Sequence, residues 1–167
     1  MVTDFKDDLI AMLPRLRRFA RSLARSVPEA DDLVQESCLR ALSRSDQWDP
    51  AQPLDRWIFR IVRNTWISEV RKRSVRIGQG LVPADETHEL VSSETGEDAA
   101  SANDLVRQIM DLPEELSALL LAVSVEGYSY AEAAALFDIP LGTVMSRIHR
   151  ARKLLSERIS ETLGADT

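Results

Sequence analysis

Apolar residues recur at helical spacing through both halves of the chain, and no stretch alternates as a half-buried strand would. Near the start, Leu9, Ile10, Leu13, Leu16, Phe19, Ala20 and Leu23 form one stripe, with Arg15, Arg17, Arg18, Arg21 and Arg25 set between them. Pro14 falls inside the stripe and predicts a kink or restart, because proline has no N–H to donate and its ring crowds the preceding turn. A second helix is predicted from about Ala30 to Leu42, opened by Glu29, Asp31 and Asp32, acids that suit the positive end of a helix dipole. Its inward arc is Val34, Cys38 and Ala41. The stretch Ser43–Pro53, with two prolines, reads as a loop. A third helix follows from Leu54 to about Arg73, with Leu54, Trp57, Ile58, Ile61 and Thr65 expected to face a core.

Residues 78–101 are rich in Gly, Ser, Thr, Asp and Glu and read as a flexible acidic linker. Beyond it, breaks at Pro113, Gly127 and Pro140 divide the chain into four further helices. The last two, within Ser129–Leu155, form a helix-turn-helix. Ser129 and Thr143 are each suited to cap a helix N-terminus through a side-chain oxygen, and Pro140 ends the first helix near Phe137 or Asp138. At about 100° per residue, Val144, Ile148, Ala151 and Leu155 fall on one inward arc. Ser146, His149, Arg150 and Lys153 fall opposite, flanked by Met145, Arg152 and Arg147. The fold class is therefore all-α, with two small helical domains (1–77 and 102–167) joined by the linker.

Composition changes this picture little, and charge changes it more. The net charge of −6 argues against nucleic acid only as an average. Residues 1–81 carry 15 Lys/Arg against 11 Asp/Glu, residues 82–111 carry one against eight, and residues 112–167 carry five against eight. Four of the last five cations are Arg147, Arg150, Arg152 and Lys153, so the local field over the final helix is positive, and local patches steer binding. No apolar run approaches the roughly 20 residues needed to span a bilayer, and the N-terminus lacks a signal-peptide layout. Membrane insertion is not expected, and the location is read as cytoplasmic. The single cysteine, Cys38, excludes an intrachain disulfide and is read as a small core residue. His88 and His149 lie in different segments and do not suggest a zinc site.

Three constellations carry candidate chemistry. On the third helix Arg56, Arg60, Arg63 and Arg71 fall on one side, a rail that can follow a phosphate backbone. Phe59 and Trp66 lie beside it and are expected to offer exposed stacking surfaces for unpaired bases. On the second helix Asp32, Gln35, Glu36 and Leu39 form an acidic face with an apolar centre, the composition of a docking surface. On the last helix Arg and Ser side chains stand where base edges and phosphates can be read. Nothing in the chain suggests catalysis: there is no phosphate-cradling Gly-rich loop, no His-Glu-x-x-His and no nucleophile with an evident base. The chain is read as a non-enzyme with no cofactor and no metal.

Residues 30–41 (ADDLVQESCLRA), 54–73 (LDRWIFRIVRNTWISEVRKR) and 142–152 (GTVMSRIHRAR) together resemble the extracytoplasmic-function, or group 4, class of bacterial RNA polymerase sigma factors. The resemblance covers nearly all of both helical blocks, in order. It implies a sigma region 2-like domain at 1–77 and a region 4-like helix-turn-helix domain at 102–167. It places Asp32, Gln35, Glu36 and Leu39 on the surface that docks on the β′ clamp helices of core RNA polymerase, and the β flap is a further expected polymerase contact. Arg60, Arg63, Asn64, Arg71 and Arg73 would hold the −10 strand, and the Ser43–Pro53 loop would capture an unstacked base. Thr143, Ser146, Arg147, His149, Arg150 and Lys153 would read the −35 element as duplex. An anti-sigma factor is an expected partner. The segments LPRLRRFA and RNTWISEVRKR are similar to the general-stress subgroup of alphaproteobacteria. The chain departs from the family pattern at Ser68, where members often carry Asp, and at Met145, where many carry a cation or polar residue, so the −35 preference does not transfer.

Two rival readings follow from the same residues. A sigma mimic that only titrates an anti-sigma factor would need no basic recognition face. A helix-turn-helix repressor or activator would bind promoter duplex without polymerase and would not need the Gln35–Glu36 face.

Overall fold

Ser26 and Arg25 set the first corner of the fold. Arg25 adopts a left-handed conformation (φ 66°) and returns its N–H to the Arg21 carbonyl, and the Ser26 hydroxyl then accepts the Glu29 N–H to open the next helix. The computed structural model describes residues 4–78 and 100–164, which form two helical units. The first contains α1 (Phe5–Ala24), α2 (Val27–Ser43), a short 3-10 turn (Ser45–Gln47) and α3 (Leu54–Gly78). The second contains α4 (Ala100–Met110), α5 (Glu114–Ser124), α6 (Tyr130–Phe137) and α7 (Leu141–Gly164). No strand occurs among the described residues. The linker expected at 78–101 lies outside the described residues apart from its two ends, as does His88.

In the first unit all three helices pack on one another. The core stripe of α1 is Leu9, Met12, Leu16, Phe19, Ala20 and Leu23. Ile10, one residue off that stripe and so about 100° around the helix, is 62% exposed instead of buried. Pro14 lies exposed inside α1, which runs on through it without restarting. Helix α2 starts three residues earlier than Ala30, because Ser26 caps it and Pro28 occupies an early position where no N–H is needed.

The largest correction concerns α3. Its buried arc is Ile58, Phe59, Val62, Thr65 and Trp66, the i, i+4, i+7 spacing of a core face, while Leu54, Trp57 and Ile61 are only half-buried. Phe59 and Trp66 are therefore not exposed stacking platforms. Phe59 is fully buried, its ring 4.8 Å from that of Phe19, and Trp66 lies under the Arg73 guanidinium at 5.8 Å.

The second unit is built around α5, which packs against α4, α6 and α7. Leu116, Leu119, Leu120 and Leu121 meet Ile109, Leu112, Leu136, Val144, Ile148 and Ala151 in a closed apolar core. Ser129 and Glu132 form a reciprocal capping box at the start of α6. Asp138 closes α6 in the left-handed region (φ 53°), which Asp tolerates, and leaves Ile139 and Pro140 as the rest of the turn. Thr143 does not cap α7. The Pro140 carbonyl already accepts from Thr143 and Val144, so the helix begins at Leu141 and Thr143 sits inside its first turn.

Because Phe59 fills the centre of the first core, Phe59→Ala is expected to cost about 3–5 kcal/mol of that unit's stability. Urea unfolding followed by circular dichroism checks this. A loss under about 1 kcal/mol, the range of most surface substitutions, would return Phe59 to the surface.

Candidate nucleic-acid interface

Helix α7 is held by Val144, Ile148 and Ala151 against the second core, and this fixes what it presents outward. Ser146, His149, Arg150 and Lys153 are exposed, Thr143 and Arg147 are half-buried, and Met145 is 54% exposed beside them. The Ser146 hydroxyl donates to the Thr143 carbonyl at 3.1 Å, leaving its oxygen lone pairs directed outward as acceptors. Two neighbours were not legible in sequence. Glu115, at the start of α5, reaches Arg150 Nη1 at 3.3 Å and Arg147 Nη2 at 4.0 Å. Tyr130, at the start of α6, accepts from Arg152 Nη1 at 3.3 Å. Both partners lie more than 20 residues away, and only the packing of α5 and α6 on α7 brings them there.

On α3, burial of Ile58, Phe59, Val62 and Trp66 turns Arg60, Asn64 and Arg71 outward, and all three are exposed. Arg60 and Arg71 are eleven residues apart, about 16 Å along the helix. Arg63 is half-buried, with Nη1 3.5 Å from Asn64 Oδ1. Arg56 forms an ion pair with Asp55 at 3.2 Å, and the same carboxylate holds Arg15 of α1 at 3.0 Å. Arg73 is not brought to this line. It points toward α2, where it pairs with Glu29 and covers Trp66.

On α2, Ala30, Leu33, Val34, Ser37 and Ala41 are buried, and Asp32, Gln35 and Leu39 stand exposed on the other side, Leu39 by 63%. Glu36 is half-buried and accepts from Arg40 Nε at 2.9 Å. A cleft beside this face, between α2 and α3, is lined by Glu29, Asp32, Glu36, Trp66, Glu69 and Arg73, so it is acidic with one cation. Cys38 is half-buried on α2; burial pushes its thiol above the ordinary cysteine range, opposed in part by the nearby Arg17 charge. It is a poor nucleophile at neutral pH. Among the described residues no group of His, Cys, Asp and Glu is arranged to hold a metal ion, and no helix is long and apolar enough to cross a membrane.

These faces sit inside two matched family regions. Residues 9–76 match the family model for Sigma-70 region 2, and residues 102–155 match that for Sigma-70, region 4. The ECF RNA polymerase sigma factor EcfG of Rhodopseudomonas palustris (strain TIE-1) is 37% identical over 172 residues, covering 99% of this chain and 93% of its own length. The chain belongs to the extracytoplasmic-function (ECF) family of RNA polymerase sigma factors. The ECF sigma factor SigF of Caulobacter vibrioides (strain NA1000 / CB15N) is 30% identical over 96% of this chain and 88% of its own length. Among solved structures, the sigma factor RpoE of Bartonella quintana, crystallised in complex with the anti-sigma factor NepR, superposes with a TM-score of 0.74 at 31% identity, covering 95% of this chain and 98% of that one. As a sigma factor the chain works in promoter-directed transcription initiation, and its two regions are the two helical units.

Glu115 sets a weak counter-charge on the exposed cations of α7, and exposed ion pairs of this kind are readily displaced. Glu115→Gln is expected to tighten holoenzyme binding to a −35 duplex about two- to fivefold at low salt, with the gain shrinking as salt rises. Fluorescence anisotropy across a salt series measures it. Weaker binding by the variant would mean that Glu115 serves to orient Arg147 and Arg150 rather than to compete with phosphate.

Proposed function

We propose that this sigma factor docks on core polymerase through Asp32, Gln35, Glu36 and Leu39, reads the −35 element with α7 and captures the melted −10 strand with α3 and the loop before it. The observation that carries the reading is the division of exposed chemistry: an acidic face with an exposed leucine on α2, and cations turned outward on α3 and α7. Acidic side chains would be repelled by DNA and suit a protein surface, whereas exposed arginines release counterions when they meet phosphate. In this reading Ser146, His149 and Arg150 contact base edges, with Arg147 and Thr143 beside them and Lys153 on phosphate. Arg60, Asn64 and Arg71 follow the unpaired strand, with Arg63 alongside. Arg73, paired with Glu29, braces the α2–α3 junction and joins the strand only if that pair opens.

Sigma function needs no reaction of the chain's own, because polymerase performs the phosphodiester chemistry, and no cofactor or metal enters it. The reading places the chain in the cytoplasm, with promoter DNA, core polymerase (β′ clamp helices and β flap) and an anti-sigma factor as partners. The RpoE–NepR complex, in which a similar sigma factor is bound by an anti-sigma factor, supports an anti-sigma partner for this chain. A mimic that serves only to titrate such a partner would not need Arg60, Arg71, Arg150 and Lys153 held outward, which favours the promoter-reading role.

Purified core polymerase with and without the protein, on a promoter library, tests the assignment. Specific initiation is expected with the wild-type chain and none with Gln35→Ala plus Glu36→Lys, which should not co-elute with polymerase. Unchanged co-elution would remove the docking face from α2. Arg150→Ala is expected to lose roughly tenfold on the preferred −35 sequence and to relax preference there, while Lys153→Ala weakens all sequences alike and lowers the salt slope by about one. If both variants behave alike on every sequence, base reading does not lie with Arg150.

A further inference from the structure

Phe5 opens α1 ahead of residue 9, where the region 2 match begins, and it bridges the middle of the loop that precedes α3 and the first turn of α3. Its ring is 5.9 Å from that of Trp48 in the loop and 6.1 Å, nearly edge-on at 73°, from that of Trp57 in the first turn of α3. Edge-on and tilted pairs at this separation are favourable aromatic geometries. From Leu42 to Pro53 every residue is exposed except Trp48, which is half-buried and packs against Phe5 of α1.

The loop also carries its own closed set of hydrogen bonds. Gln47 N–H donates to the Arg44 carbonyl at 2.9 Å, and Trp48 N–H to Ser45 at 3.4 Å. The Asp49 side chain accepts from Ala51 N–H at 3.0 Å, its carbonyl accepts from Gln52 N–H at 2.8 Å, and the Trp48 indole N–H donates to the Gln52 carbonyl at 3.2 Å. Two successive turns are thus closed by backbone bonds, and the indole that Phe5 meets ties the second of them. A loop in this state pays little ordering entropy when it meets a ligand. What it offers outward is Asp46, Gln47, Asp49 and Gln52, polar groups suited to a base edge, with Arg44 as its one cation.

We propose that Phe5 is a positioning residue for strand capture: by bridging Trp48 and Trp57 it sets the shape of the 44–53 loop and its distance from the exposed line on α3. This rests on the reading that the loop takes an unstacked base. Phe5 touches no DNA in this scheme; it acts through Trp48.

Holoenzyme made with the full-length chain is tested on two probes, a forked promoter whose −10 non-template strand is unpaired and a fully paired duplex carrying the same −35 element. Phe5→Ala is expected to lose about three- to tenfold in affinity for the fork, the range of an aromatic pair, with binding to the duplex unchanged. Phe5→Trp, which restores an aromatic ring, is expected to recover most of that loss. Trp48→Phe keeps the ring and deletes the N–H to Gln52, and serves if Phe5→Ala folds poorly; its expected loss on the fork is smaller and in the same direction. Wild-type affinity for the fork in Phe5→Ala, or an equal loss on both probes, overturns the proposal. If the wild-type holoenzyme shows no preference for fork over duplex, the strand-capture reading itself fails, and the positioning role falls with it.

Discussion

Burial of Phe59 and Trp66 fixes the rotation of α3 about its own axis, and that rotation decides which of its cations can meet a ligand. An α-helix turns about 100° per residue, so moving the core arc by one residue would exchange exposed positions for buried ones. With Ile58, Phe59, Val62, Thr65 and Trp66 inward, Arg60, Asn64 and Arg71 are carried outward together. Arg73 lies about 220° from Arg60 on the same count, and it meets Glu29 of α2 instead of solvent. The packing of two aromatic side chains thus sorts the arginines of one helix into an outward-facing line and a structural brace.

The contrast between α3 and α7 explains how much could be read beforehand. On α7 the apolar residues of the first half, Val144, Ile148 and Ala151, form one narrow stripe, and every residue expected outward there is exposed or half-buried. The first half of α3 has Trp57, Ile58, Phe59, Ile61 and Val62 spread around most of its circumference. Periodicity then gives no single phase, and tertiary contact with Phe19 settles it. The same limit hid Glu115 and Tyr130, whose meeting with α7 is a consequence of packing. The start of α7 was misplaced for a different reason. Thr143 has good capping chemistry, but the Pro140 carbonyl was already in position to open the helix.

Charge in this sigma factor is arranged in pairs that differ in how easily they can be exchanged. Arg15 and Arg56 share the Asp55 carboxylate where α1 meets the start of α3, and their half-buried setting makes them part of the bundle. Arg147 and Arg150 share Glu115 at an exposed site, where the Coulomb gain is small and salt weakens it further. A phosphate arriving at α7 therefore displaces little. The net charge of −6 is compatible with DNA binding because the cations that matter are those turned outward, and nearby acids hold them only loosely.

The two elements proposed to meet DNA solve the ordering problem differently. On α7 the helix backbone does the ordering, and each contact needs only a side-chain rotamer. A loop has no such support and must lose backbone freedom on binding, at about 1–2 kcal/mol per residue fixed. For the 44–53 loop that cost would exceed what one captured base returns through stacking, about 1–3 kcal/mol. The turns tied by Asp49 and the Trp48 indole move much of this cost into folding, where burial of the surrounding core offsets it. The proposed single-base capture is thermodynamically reasonable because the loop is already shaped by its own hydrogen bonds.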